Sequence, residues 1–124
     1  MRRVVITGYG IVSSLGNSCQ EVLDALREAR SGLVNCAEYA QLGLRSQIHG
    51  AVSIDLAARI DRKLLRFMGD AAAYTYVAFE EALTQAGLTR ADIGHPRAGL
   101  VAGSGGSSTA NIVQAADILR SKGV

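Results

Sequence analysis

Val4-Val5-Ile6 is an unbroken apolar triplet inside the β-branched run Arg3–Thr7, closed by Gly8. With no polar residue alternating, the run predicts a short strand buried on both faces of a parallel sheet. Gly8, Gly10 and Gly16 then break the pattern, and Ser18-Cys19-Gln20-Glu21 supplies a capping box. In such a box the Ser18 hydroxyl accepts from the N–H of Glu21, whose carboxylate reaches back. Val22, Leu23, Leu26 and Ala29 follow at helical spacing, and Gly32 ends the element. Residues 33–60 show no sustained period and read as mostly irregular, with room for a short strand between Gln47 and Ile54.

Asp61–Ala86 carries the clearest helical pattern. With Arg62 at zero and 100° per residue, Arg66 falls at about 40° and Lys63 at about 100°. Phe67, Leu64, Met68 and Leu65 occupy the opposite arc, from about 140° to 300°. Beyond Gly69 the alanine-rich run is apolar on two sides, leaving Glu80 and Glu81 as the wet positions. Gly87 fits the left-handed residue after the helix, with Leu88 behind it. The pattern is compatible with Gly69 dividing two helices or kinking one. Ala98–Ala102 is a second short apolar run, ending in Gly103-Ser104-Gly105-Gly106-Ser107-Ser108. Ile112, Val113, Ala116, Ile118 and Leu119 predict a last helix running to about Arg120. Strand, glycine turn and helix thus occur twice, with no fixed repeat, low-complexity segment or linker, which points to one α/β unit.

Composition narrows the picture. The chain has 124 residues, 48% hydrophobic and 19% charged with a single proline, which excludes disorder. A net charge of +2 with two Phe and four Tyr argues against nucleic-acid binding. No apolar run reaches the ~20 residues that span a bilayer, and the charged-then-apolar start breaks too early, at Thr7-Gly8, for a signal peptide. Cys19 and Cys36 make neither a disulfide framework nor a zinc site and read as reduced cytoplasmic thiols.

Candidate chemistry is sparse. Gly8-x-Gly10 lacks the third glycine of a dinucleotide fingerprint, because Ser13 stands there, and no Gly-Lys-Ser/Thr exists. The first turn therefore reads as tight backbone geometry or close approach; the second is denser in glycine than a simple connection needs. His49 and His95 read as solvated. Cys19 sits in the first turn of a helix, where the dipole lowers a thiol pKa, but has no adjoining histidine. No catalytic constellation, metal site or cofactor motif emerges.

These residues resemble a family. Val4-Val5-Ile6-Thr7-Gly8-Tyr9-Gly10-Ile11-Val12-Ser13-Ser14-Leu15-Gly16-Asn17, then Ser31-Gly32, Ile60–Ala71 and Gly99–Gly106 are similar, in order, to the opening of the β-ketoacyl-acyl-carrier-protein synthases. The block from Asp61 to Ala71 is more like synthase I than synthase II. The resemblance covers the whole chain and implies a thiolase-like fold, an incomplete layered α/β domain spanning 1–124, in an enzyme that is usually a homodimer. It implies decarboxylative Claisen condensation, with a cysteine thiolate at a helix N-terminus as acyl acceptor and two histidines assisting. The nucleophile, both histidines and their supporting lysine belong to family segments expected beyond Val124. Cys19 and Cys36 match no nucleophile position, so the fragment alone is expected to be inert, and to self-associate where its sheet partners are missing.

The resemblance also implies that Arg62, Lys63 and Arg66, with Arg45 at the periphery, receive the acidic recognition helix of acyl carrier protein. Between Arg45 and Arg66 five cations face only Asp55 and Asp61, a local +3 that leaves −1 for the remainder. Gly106 and Ile112 match positions near the acyl path or the subunit contact. A different class of function, a non-catalytic module that binds the carrier or a synthase subunit, is the alternative, and a polyketide or thiolase-like condensing enzyme a more distant one.

Overall fold

The computed structural model describes residues 3–123; Met1 and Arg2, at the charged start of the sequence, and Val124 lie outside them. Its elements are α1 (Cys19–Arg27), β1 (Leu33–Asn35), α2 (Ala37–Gln41), β2 (Ile48–Gly50), α3 (Leu56–Arg59), α4 (Arg62–Leu65), α5 (Asp70–Ala86), α6 (Arg90–Ile93) and α7 (Thr109–Lys122). The chain is a mixture of helix and sheet.

α5 is the floor of the molecule. Its alanines present a flat backbone ridge, and the glycine turn after Thr7 crosses it at close range. A Cβ on Gly10 would collide with the Ala78 carbonyl oxygen, and one on Gly8 with that of Ala82. Close approach, and not a positive φ, is therefore what these glycines supply. α5 also satisfies the crossing segment's amides. Gln85 Oε1 accepts from the Tyr9 N–H at 2.7 Å, Glu81 Oε2 from Ile11 at 3.0 Å, and Glu81 Oε1 from Cys19 at 2.7 Å. Glu81 is thus not a freely wet side chain, as its place in the helical pattern suggests. One carboxylate ties the turn and the first residue of α1 to α5 through charge-assisted hydrogen bonds. Glu80 keeps a looser contact, 3.7 Å from Arg90.

α1 begins as its capping box demands, with the Ser18 Oγ accepting from Glu21 N–H at 3.2 Å. The Glu21 carboxylate reaches one residue further back, to the Asn17 N–H at 2.7 Å. The helix ends at Arg27, short of Gly32, because Ala29 adopts a left-handed φ of 52° and the Arg30 N–H closes onto the Ala25 carbonyl at 2.8 Å. A left-handed alanine costs roughly 1–2 kcal/mol. Gly32 serves a different purpose: its hypothetical Cβ would lie 2.6 Å from the Ser14 carbonyl oxygen. Gly87 ends α5 at φ 68° with the Leu88 N–H on the Leu83 carbonyl, as the pattern predicts.

Two expectations need correction, and one open choice is decided. Residues 33–60 are not mostly irregular: β1 and β2 pair antiparallel with Val34 opposite His49, and α2 and α3 flank the ladder. That pairing is invisible to periodicity because each strand is three residues long. The runs Arg3–Thr7 and Ala98–Ala102 form no strand, since a strand exists only against a partner; Val4, Ile6 and Val101 are 93%, 89% and 98% exposed. No parallel ladder is therefore present among the described residues. Finally, Gly69 divides two helices, capping α5 from an extended backbone. A Cβ there would stand 2.8 Å from Ser108 Cβ, so the glycine admits the start of α7 against the start of α5.

The core is small: Ile60, Ala73 and Val77 form its buried cluster, with Val12, Leu65 and Met68 packed against it. Accessible surface totals 10236 Å², against about 6,300 Å² for a compact monomer of 13.0 kDa. The two unpaired runs and the half-exposed apolar residues of α7 contribute to that excess.

Candidate docking surface

The candidate site is built on α4, a single helical turn. Asp61 starts it by accepting the Lys63 N–H on Oδ1 at 2.8 Å. Asp55 does the same for α3, accepting from the Ala58 N–H at 3.1 Å. Both carboxylates of the 45–66 stretch thus hold helix N-termini. Ile60 before the turn is buried, and Leu65 and Met68 pack on the same cluster. These apolar anchors hold one side of α4 against α5, while Arg62, Lys63 and Arg66 stand exposed. Arg45 is also exposed but lies on the separate loop between α2 and β2. Among the described residues the ion pairs involve Arg27, Arg30, Arg90 and Arg120, and none of the five cations between Arg45 and Arg66. The patch is a concentration of positive charge without internal neutralisation.

Phe67 does not share the buried side with Leu65 and Met68. It is 80% exposed, and the Arg66 guanidinium carbon sits 4.8 Å from its ring centroid, a cation–π contact worth about 0.5–1 kcal/mol at an exposed position. The reason is local. The Phe67 and Met68 N–H groups bond the Leu64 and Leu65 carbonyls at 3.1 and 3.0 Å. Such i→i+3 bonds tighten the turn to about 120° per residue, so the ideal helical arc does not continue. The Gly69-Asp70 break just downstream is the sequence signal for it.

Gly106 lies in the loop before α7, and a Cβ there would meet nothing within 4 Å. The loop borders a hollow of about 380 Å³ shared with Gly69 and Ala72. Ile112 is 56% exposed on α7. Sequence reasoning missed a neighbouring apolar hollow of about 440 Å³ between α5 and residues 100–104, lined by Met68, Ala72, Phe79 and Leu100 among others. A mixed-charge groove of about 690 Å³, lined by Arg59, Asp61, Glu80 and Arg90 among others, adjoins α4.

Cys19 is not an activated nucleophile. The Cys19 thiol donates weakly to the Tyr9 carbonyl at 3.4 Å. Desolvation raises its pKa, and the Glu81 hydrogen bond and charge push the same way, contrary to the lowering expected from the helix dipole alone. His49 is not freely solvated: it is half-buried and meets Tyr39 edge-on at 5.5 Å. His95 accepts the Arg97 N–H in an exposed loop. Among the described residues no group of three His, Cys, Asp or Glu is placed to hold a metal ion. No helix among them is long and apolar enough to cross a membrane.

The family model for the β-ketoacyl synthase N-terminal domain matches residues 1–123. The chain is 50% identical over 121 residues to 3-oxoacyl-acyl-carrier-protein synthase 1 of Escherichia coli K12, and 45% identical over 120 residues to that of Haemophilus influenzae. Each match covers 97% of this chain and 30% of the relative. A 3-oxoacyl-acyl-carrier-protein synthase 2 of Vibrio harveyi is 32% identical over 105 residues, 84% of this chain and 25% of the relative. The chain thus spans about 30% of the length of its synthase 1 relatives.

Proposed function

The chain belongs to the β-ketoacyl synthase N-terminal domain family, and on that premise we propose that it is the opening part of a β-ketoacyl-acyl-carrier-protein synthase that elongates fatty acyl chains. The whole enzyme adopts the layered thiolase-like fold, works as a cytoplasmic homodimer, and joins an acyl thioester to malonyl-carrier. Carbon dioxide leaves the malonyl group, and the resulting carbanion attacks the acyl carbonyl held on a cysteine, forming a C–C bond as the C–S bond breaks and the cysteine thiolate leaves. That cysteine, the two histidines and the lysine reside outside residues 1–124.

The contribution of this segment is reception of the acyl carrier protein on Arg62, Lys63 and Arg66, with Arg45 at the edge. The observation that carries the reading is the one-turn helix α4, held from below by Ile60, Leu65 and Met68, whose cations have no carboxylate partner. Exposed ion pairs contribute roughly 0.2–1 kcal/mol each, so three contribute on the order of 1–3 kcal/mol. Micromolar affinity requires about 8 kcal/mol. Apolar contact and the delivered acyl chain supply the difference, and weak, salt-sensitive docking suits a shuttling partner. Gly106 and Ile112 border the acyl path or the subunit contact; the open space around Gly106 is compatible with either.

Acyl transfer tests the reading. Radiolabelled acyl-carrier incubated with the full-length protein is expected to leave label on a cysteine outside residues 1–124, and malonyl-carrier then to release carbon dioxide. The 124-residue chain alone is expected to take up none. Label on Cys19 or Cys36, or a full-length protein that forms no acyl-enzyme, would contradict it.

A further inference from the structure

We propose that Phe67 is the apolar anchor of the carrier-docking surface, receiving an aliphatic side chain from an acidic helix whose carboxylates meet Lys63 and Arg66. This deepens the docking reading and rests on it.

A single exposed apolar side chain is ordinary; Phe67 is set apart by its surroundings, an exposed Leu64 and the exposed cations Arg62, Lys63 and Arg66. Phe67 is 80% exposed although its neighbours Leu65 and Met68 turn into the core. It is not loose: its amide is bonded to the Leu64 carbonyl at 3.1 Å, and the Arg66 guanidinium lies over the ring, 4.8 Å from the centroid. The contact holds aromatic face and positive charge side by side. It pre-orders both groups, which lowers the entropic cost of binding.

Phe67 differs from the three large apolar residues more exposed than itself. Val4, Ile6 and Val101 lie in strand-like runs suited to a sheet neighbour. Phe67 follows directly on Arg66 and lies one helical turn beyond Lys63, and neither cation has a carboxylate partner. An apolar cover would desolvate those cations without counter-charge, at high cost. An acidic helix covers the ring and neutralises the cations together. In protein interfaces a few residues carry much of the binding energy, surrounded by contacts that are nearly neutral.

The test uses full-length protein and acyl-carrier, with dissociation constants measured across a salt series. Phe67→Ala is expected to weaken binding about 5- to 10-fold while leaving the salt dependence unchanged, and Phe67→Met to restore most of the affinity. Arg66→Lys, which keeps the charge and loses the planar stack, is expected to fall between wild type and Phe67→Ala. Lys63→Glu is expected to weaken binding and flatten the salt dependence. Wild-type affinity in Phe67→Ala alongside a weakened Lys63→Glu overturns this inference and leaves the docking reading standing; wild-type affinity in both overturns the reading itself. Binding of anionic phospholipid vesicles that Phe67→Ala abolishes, with carrier affinity untouched, would assign the residue to a membrane surface and also overturn the inference.

Discussion

Gly10→Ala is expected to destabilise the protein by about 3 kcal/mol, read as a lower denaturant midpoint of the full-length polypeptide. The added methyl group would be driven into the carbonyl of Ala78, in the middle of α5. A helix backbone cannot yield as a flexible side chain does, so the crossing segment must lift. Lifting it also breaks the bonds from Ile11 and Cys19 to Glu81, leaving a carboxylate and two amides short of partners. Gly106→Ala is the control, because open space surrounds that position; its effect is expected to stay within about 0.5 kcal/mol. Equal effects at the two sites would show that the first glycine turn does not depend on contact with α5.

Reversing charge at Lys63 and Arg66 together is the second large effect. Each substitution removes an attraction of up to about 1 kcal/mol and adds a repulsion of similar size. The double variant Lys63→Glu, Arg66→Glu is therefore expected to bind acyl carrier protein roughly 30- to 150-fold more weakly at low salt. The deficit should shrink as salt rises, because the Debye length falls to about 8 Å at physiological ionic strength. Folding should change by no more than about 1 kcal/mol, the worth of the exposed Arg66–Phe67 contact, since both side chains are exposed and neither forms an ion pair among the described residues. Retained affinity, or a loss that does not respond to salt, would speak against electrostatic docking at α4.

The sequence was legible where structure is decided locally. The capping box at Ser18, the long α5 with Gly87 behind it, and the exposed cations at 62, 63 and 66 all follow from spacing along one helix. It was illegible where the deciding group comes from elsewhere in the chain. Glu81 looks solvated in its own helix until the amides of Ile11 and Cys19 are laid over it, and desolvation, with Glu81 adding to it, raises the Cys19 pKa where the helix dipole alone would lower it. β2 falls within the short strand expected between Gln47 and Ile54, but β1 is too short to show a period and is specified by its pairing with β2. The runs Arg3–Thr7 and Ala98–Ala102 show the opposite case. Their pattern states what needs burying, and no neighbour within residues 3–123 provides it. Phe67 fell outside its expected arc because α4 tightens one turn before the Gly69 break.

The central claim is that the cations of α4 receive an acidic carrier. The chain contains only two lysines, Lys63 on α4 and Lys122 at the far end of α7, which makes a direct measurement available. Carbodiimide joins a lysine amine to a carboxylate only where the two already touch. Mass spectrometry of the cross-linked complex of full-length protein and acyl carrier protein is expected to find, within this segment, a carrier carboxylate bonded to Lys63, in a yield that falls as salt is added. Cross-links confined to Lys122, or no link at Lys63 in a complex that demonstrably forms, would contradict the account.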